Sequence, residues 1–162
     1  MSSSARKSKL LDFDLMADLS DLEMQVFEVF KNFPKKYQFN IMQRVYDNLG
    51  LSENSLGHCL VIHPYSAIHV KYKRDMLENS LVNVKLVEMN FAKLNKMGIL
   101  SDSKFAEFMI MFNGLIIGYS KFLGTLNKKI KSMETAENKV GKLDTGEGFS
   151  DEGFNNVVNL DF

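Results

Sequence analysis

Apolar residues recur along this chain at spacings of three and four, the period of helices that bury one face. Leu22, Val26, Val29 and Phe30 predict a first helix over about 21–32. Ser20-Asp21-Leu22-Glu23 ahead of it has the form of a capping box, with Leu19 placed as a hydrophobic staple. Phe33-Pro34-Lys35-Lys36 then ends one helix and starts the next: Pro34 biases Phe33 out of the α region and itself suits a first helical turn. Phe39, Met42, Tyr46 and Leu49 continue the stripe in a second helix. Gly50, Ser52, Asn54, Ser55 and Gly57 predict a kink or short break before Leu56 and Leu60 resume it.

His63-Pro64-Tyr65-Ser66 reads as the next turn, because Pro64 cannot continue a helical ladder. A third helix follows over about 67–97, with Leu77, Leu81, Val84, Phe91 and Leu94 inward, and Gly98 stops it. Ser101 or Asp102 caps a fourth, over about 102–133, whose stripe is Phe105, Phe108, Phe112, Leu115, Tyr119, Phe122, Leu126 and Ile130. Short connections favour antiparallel neighbours, so the expected fold is all-α, an antiparallel up-down four-helix bundle. Residues 1–19 read as a variable N-terminal segment, 20–133 as the bundle and 134–162 as a disordered acidic tail. A first helix so much shorter than the third leaves apolar surface that self-association would bury.

Composition narrows the class. The 162 residues include two prolines, ten methionines and no tryptophan, and one cysteine, Cys59, which rules out an internal disulfide and suits a reducing cytosol. No apolar run reads as long enough to span a bilayer, and Ser2-Ser3-Ser4-Ala5-Arg6-Lys7 lacks the apolar core of a signal peptide. A cytoplasmic protein without membrane partners is the expectation.

Charge adds more. The formal net charge is zero, but residues 31–131 hold fifteen Lys or Arg against seven Asp or Glu, an excess of eight. From residue 132 onward two lysines face seven acids, and the first thirty residues carry three basic against six acidic groups. A basic body between acidic ends favours polyanions through its net excess, although for any single lysine a solvated surface position is the better reading. The basic groups of the body include Lys35 and Lys36, Lys71, Lys73 and Arg74 at the start of the third helix, and Lys121, Lys128, Lys129 and Lys131 late in the fourth. Gly114 and Gly118, four apart on an apolar helix, allow close backbone approach.

Catalytic and metal chemistry find little support. His58, Cys59, His63 and His69 match no zinc spacing, no Asp or Asn is placed to orient a base beside Cys59, and no Glu-x-x-His pair exists for a di-metal bundle. Ser101-Asp102-Ser103-Lys104 is better read as a helix cap than as a nucleophile motif. No cofactor, metal or enzymatic activity is expected. The closing Phe154, Val157, Val158, Leu160 and Phe162 among sparse acids read as a solubilising tail, with docking on a partner or on the basic body as the other options.

Taken together, Phe33-Pro34-Lys35-Lys36, the Gln43-Arg44 pair, a third helix that runs from basic to apolar, and Gly114-x-x-x-Gly118 followed by Asn127-Lys128-Lys129 resemble a known family. It is that of the four-helix-bundle proteins related to the accessory variability determinant of diversity-generating retroelements, which includes proteins encoded in ribosomal RNA intervening sequences. The resemblance covers about residues 20–131. It departs in having Gly118-Tyr119-Ser120 and no tryptophan where Gly-Gly-Trp is common. The resemblance implies a homopentamer without catalytic residues that binds nucleic acid, partners a reverse transcriptase and supports mutagenic copying of a template RNA, as RNA or RNA/DNA hybrid. It implies phosphate contacts for Lys35, Lys36, Arg44 and the basic groups of helices three and four. Gly114, Gly118, Tyr119 and Phe122 are then the candidates for oligomer or helix packing. A protein-interaction scaffold without nucleic-acid binding is the other reading.

Overall fold

The computed structural model describes the backbone of residues 3–144 and, within it, the side chains of 14–37 and 40–136. Four α-helices, α1 (Ser3–Phe30), α2 (Gln43–Val61), α3 (Ala67–Lys96) and α4 (Asp102–Asp144), hold most of the described residues, and no strand occurs among them. α2 and α4 both pack on α3, and α1 packs on α4 and α2. The fold is an all-helical bundle.

α1 begins at Ser3 instead of near residue 21. Leu15 and Leu19 are buried and extend the stripe of Leu22, Val26 and Phe30, so Ser20 and Glu23 lie mid-helix and cap nothing. Burial against α4 outweighs the local capping signal, and Leu19 serves as core where a staple was expected. At 28 residues α1 is nearly as long as the 30-residue α3, which removes the length mismatch offered as a cause of self-association.

After Phe30 the chain turns through Asn32 and Phe33, whose amides bond to Val29 and Phe30 carbonyls at 3.3 and 3.0 Å. Pro34 accepts from Tyr37 N at 3.0 Å, a 3₁₀ turn covers Lys35–Tyr37, and a π turn covers Gln38–Met42. The second α-helix therefore starts at Gln43, later than Pro34 alone suggests. It runs unbroken through Gly50 and Gly57 to Val61. Each glycine costs about 1 kcal/mol of helix propensity, but Val45, Leu49, Ser52, Leu56 and Cys59 are all buried on one face, and that burial holds the expected break closed.

The remaining turns follow the expected chemistry. Ser66 caps α3, its Oγ accepting from His69 N at 3.4 Å. Gly98 takes φ 68° just past α3, where a side chain would be strained, while Gly98 N and Ile99 N bond to Asn95 and Leu94 carbonyls at 2.8 and 3.0 Å. Ser101 caps α4 through its Oγ, which accepts from Lys104 N at 3.3 Å.

α4 continues past Met133 to Asp144. Nothing from Glu134 to Val140 breaks a helix, and Glu134 is held by Lys71 of α3 at 2.6 Å. The tail expected from 134 thus opens as helix, and residues 145–162 lie outside the described residues. Over Asp102–Ala136, with mean hydropathy 1.3 in its most apolar window, α4 is by length and composition long and apolar enough to cross a membrane, contrary to the sequence expectation. A mostly buried core helix passes the same test; here 28% of that window is buried, with Phe108, Phe112, Leu115, Tyr119, Phe122, Leu126 and Ile130 forming the inward stripe of α4.

The core is aromatic at one level and polar at another. Phe91 of α3 meets Phe30 of α1 at 5.6 Å, and Phe108 and Phe112 of α4 at 4.5 and 5.6 Å between ring centroids. Farther along, Ser52, Ser80 and Tyr119 are fully buried together. Ser80 Oγ lies 2.8 Å from Ser52 Oγ and 2.5 Å from the Tyr119 hydroxyl, and each serine also bonds to the other's carbonyl, at 2.7 and 3.1 Å. One contact set therefore joins α2, α3 and α4 with no hydroxyl left over, the condition under which buried polar groups are tolerated.

Candidate nucleic-acid interface

The basic residues singled out in the sequence fall into two regions. The first lies where the start of α3 meets the late turns of α4. Lys71 is tied to Glu134 across the two helices. Lys73 is buried to 8% exposure, its ammonium 5.6 Å from the Phe122 ring centroid, so its charge is held against an aromatic face. Arg74 is committed to its own helix: it bonds to Asp75 at 2.7 Å and lies 3.7 Å from Glu78, and the Asp75 hydrogen bond holds its pKa above the usual value. Lys121, Lys128, Lys129 and Lys131 are exposed on α4, and no carboxylate pairs with any of them among the described residues. This row is the least compensated charge of the region.

The second region gathers around the π turn and the far end of α3. Arg44 lines a cleft of about 320 Å³ between α2 and α3, with Asp47, Asn48, Leu86, Met89, Asn90 and Lys93. Asp47 accepts from Gln43 at 2.8 Å, and neither Arg44 nor Lys93 forms an ion pair among the described residues. Asn90, only 7% exposed, donates to the Leu86 carbonyl at 3.0 Å. Lys35 and Lys36 are exposed on the 3₁₀ turn, where Lys36 sits 4.8 Å from the Tyr37 ring centroid. From Lys71 to Lys93 along α3 is roughly 33 Å at 1.5 Å per residue, so one short ligand does not reach both regions.

The four packing candidates separate. Gly114 is exposed, with open space where a Cβ would project. A Cβ on Gly118 would stand 3.0 Å from Leu15 Cδ1, so this glycine serves the approach of α1 to α4 within the chain. Tyr119 belongs to the hydroxyl cluster, and its burial, ahead of the opposing serine hydrogen bonds, pushes its pKa above the ordinary tyrosine value. Phe122 is core beneath Lys73.

Sequence reading passed over Lys93, Asn90, Ser80 and the place of Ser52. The two serines left a signal, because they occupy stripe positions otherwise filled by Leu49 and Leu56, or Leu77 and Val84. Lys93 and Asn90 left none, since only the α2–α3 packing brings them to Arg44. At the α2–α3 turn, Cys59 is buried whereas His58, His63 and His69 are exposed, and His69 Nδ1 is within 2.8 Å of Ser66 Oγ. No group of three or more His, Cys, Asp or Glu able to hold a metal occurs among the described residues. No family model, curated protein or solved structure matches the chain.

Proposed function

We propose that the chain is a non-catalytic, nucleic-acid-binding accessory subunit that partners a retroelement reverse transcriptase and its template RNA in the cytoplasm, acting as a homopentamer. The observation that carries the nucleic-acid part is the row of Lys121, Lys128, Lys129 and Lys131 on α4, exposed and without acid partners among the described residues. Unpaired lysines on a rigid helix that neutralise phosphates release the cations condensed on the nucleic acid, and assembly multiplies such weak contacts. The reverse transcriptase, the template and the pentamer rest on the resemblance of residues 20–131 to the retroelement accessory proteins. An up-down antiparallel order of helices belongs to the same reading. It is supported by Phe91 meeting Phe108 while Lys71 meets Glu134, so that a lower position on α3 pairs with a higher one on α4.

A helical scaffold that binds only proteins is favoured by one observation, the exposure of Ile110 and Ile117 to 74% and 54% on the outer side of α4. Anisotropy of a labelled RNA separates the two readings. The triple variant Lys128→Glu, Lys129→Glu, Lys131→Glu loses about tenfold or more in affinity if these lysines meet phosphates. Equal binding by wild type and variant, or none by either, removes the nucleic-acid reading. A reverse transcriptase gene and a variable repeat adjoining the coding sequence are what the partner assignment predicts.

A further inference from the structure

Between α1 and α2 lies a cleft of about 500 Å³ lined by Glu23, Met24, Phe27, Glu28 and Tyr46. Its floor is apolar and open: Met24 is 67% and Phe27 59% exposed, and the Phe27 ring rests 6.4 Å from that of Tyr46. Its rim is acidic. Glu23 is half-buried, and burial together with the neighbouring Glu53 raises its pKa, as expected for a carboxylate with negative company. Lys31, the partner of Glu28, is the one cation paired at this rim among the described residues. The sign is opposite to that of the lysine row on α4.

We infer that this cleft docks a basic amphipathic helix of a partner protein, with apolar side chains seated on Met24, Phe27 and Tyr46 and lysine or arginine paired with Glu23, Glu28 and Glu53. Helix-in-groove recognition needs such an apolar floor, and the charged rim selects the sign of the partner. Charge also disfavours the chain's own last residues as occupant, since Glu147, Asp151, Glu152 and Asp161 face no lysine after Lys142. Nucleic acid is repelled for the same reason. The inference does not depend on the proposed function, because it uses neither the α4 lysines nor a polyanion.

The chain has no tryptophan, so a tryptophan in a probe reports binding without background. The probe is a synthetic amphipathic helix of about 14 residues, roughly 20 Å long, with leucines and one tryptophan on one face and lysines on the other. Its emission should shift to the blue and saturate with the full-length protein. Phe27→Ser, and separately Glu23→Gln with Glu28→Gln and Glu53→Gln, should each weaken binding by about tenfold. Phe27 is exposed, so its variant is expected to keep the wild-type circular dichroism. Unchanged affinity in either variant overturns the inference. So does equal binding of a probe with serine in place of leucine, which marks generic ionic attraction. Dissociation of an oligomer by Phe27→Ser, with no probe bound to the wild type, overturns it in favour of a second copy in the cleft. Tighter probe binding after Phe154→Ser, Val157→Ser and Leu160→Ser in the full chain, which removes the tail's own apolar anchors, overturns it in favour of the tail.

Discussion

The hydroxyl cluster of Ser52, Ser80 and Tyr119 and the lysine row of α4 both put polar groups on strongly apolar helices, but under opposite conditions. In the cluster the three hydroxyls are bonded to one another or to carbonyls and water is excluded. On the row the ammonium groups face solvent with no acid partner among the described residues. The first arrangement fixes how α2, α3 and α4 align and offers nothing to a ligand. The second contributes nothing visible to packing and keeps its donors available. One helix, α4, serves both, with Tyr119 inward and Lys121 outward two residues later.

If inner and outer groups divide the work in this way, substitutions should separate stability from binding. The largest stability loss is expected at the aromatic centre: Phe91→Ala removes contacts with Phe30, Phe108 and Phe112 and should cost about 3–5 kcal/mol in denaturant unfolding. Ser80→Ala deprives both Ser52 and Tyr119 of a buried partner and should cost about 1–3 kcal/mol. Tyr119 also makes this region alkali-sensitive. Its folded pKa is raised, so the unfolded chain loses that proton first, and the contribution is full below about pH 10, where an ordinary tyrosine titrates, and declines as pH rises beyond it. Tyr119→Phe should lessen that decline, measured as stability against pH; Tyr46, shifted the same way, remains as background. Outside the core, Glu134→Gln breaks a half-exposed ion pair and should change stability by less than about 1 kcal/mol. A larger cost would mean that this pair anchors α4 to α3 and would blur the contrast.

Much of the fold was legible in local chemistry. Pro34 and Pro64 set two turns, Gly98 and Ser101 set the third, and the stripe of α4 gave its buried face. Less was legible where burial overrode a local signal. Ser20 and Glu23 imitate a helix start, yet Leu15 and Leu19 carry α1 through them. Gly50 and Gly57 imitate a break, yet the buried face of α2 spans both. For the candidate interface, sequence identified the basic residues but not their condition. That Lys71, Lys73 and Arg74 are engaged while Lys128 and Lys129 have no acid partner among the described residues depends on which helices touch. Arg44 and Lys93 share a cleft for the same reason. Phe39 and the closing segment from 145 lie outside the described side chains.

The central claim is that exposed lysines on a rigid helical body meet phosphates. Its most direct test is the affinity of the full-length protein for single-stranded RNA as salt is raised from about 50 to 200 mM. With three or more lysines engaged at about 0.7 per phosphate, the log-log slope should be about −2 or steeper, and shallower in the Lys128→Glu, Lys129→Glu, Lys131→Glu variant. A flat slope, or the same slope in both proteins, would contradict it.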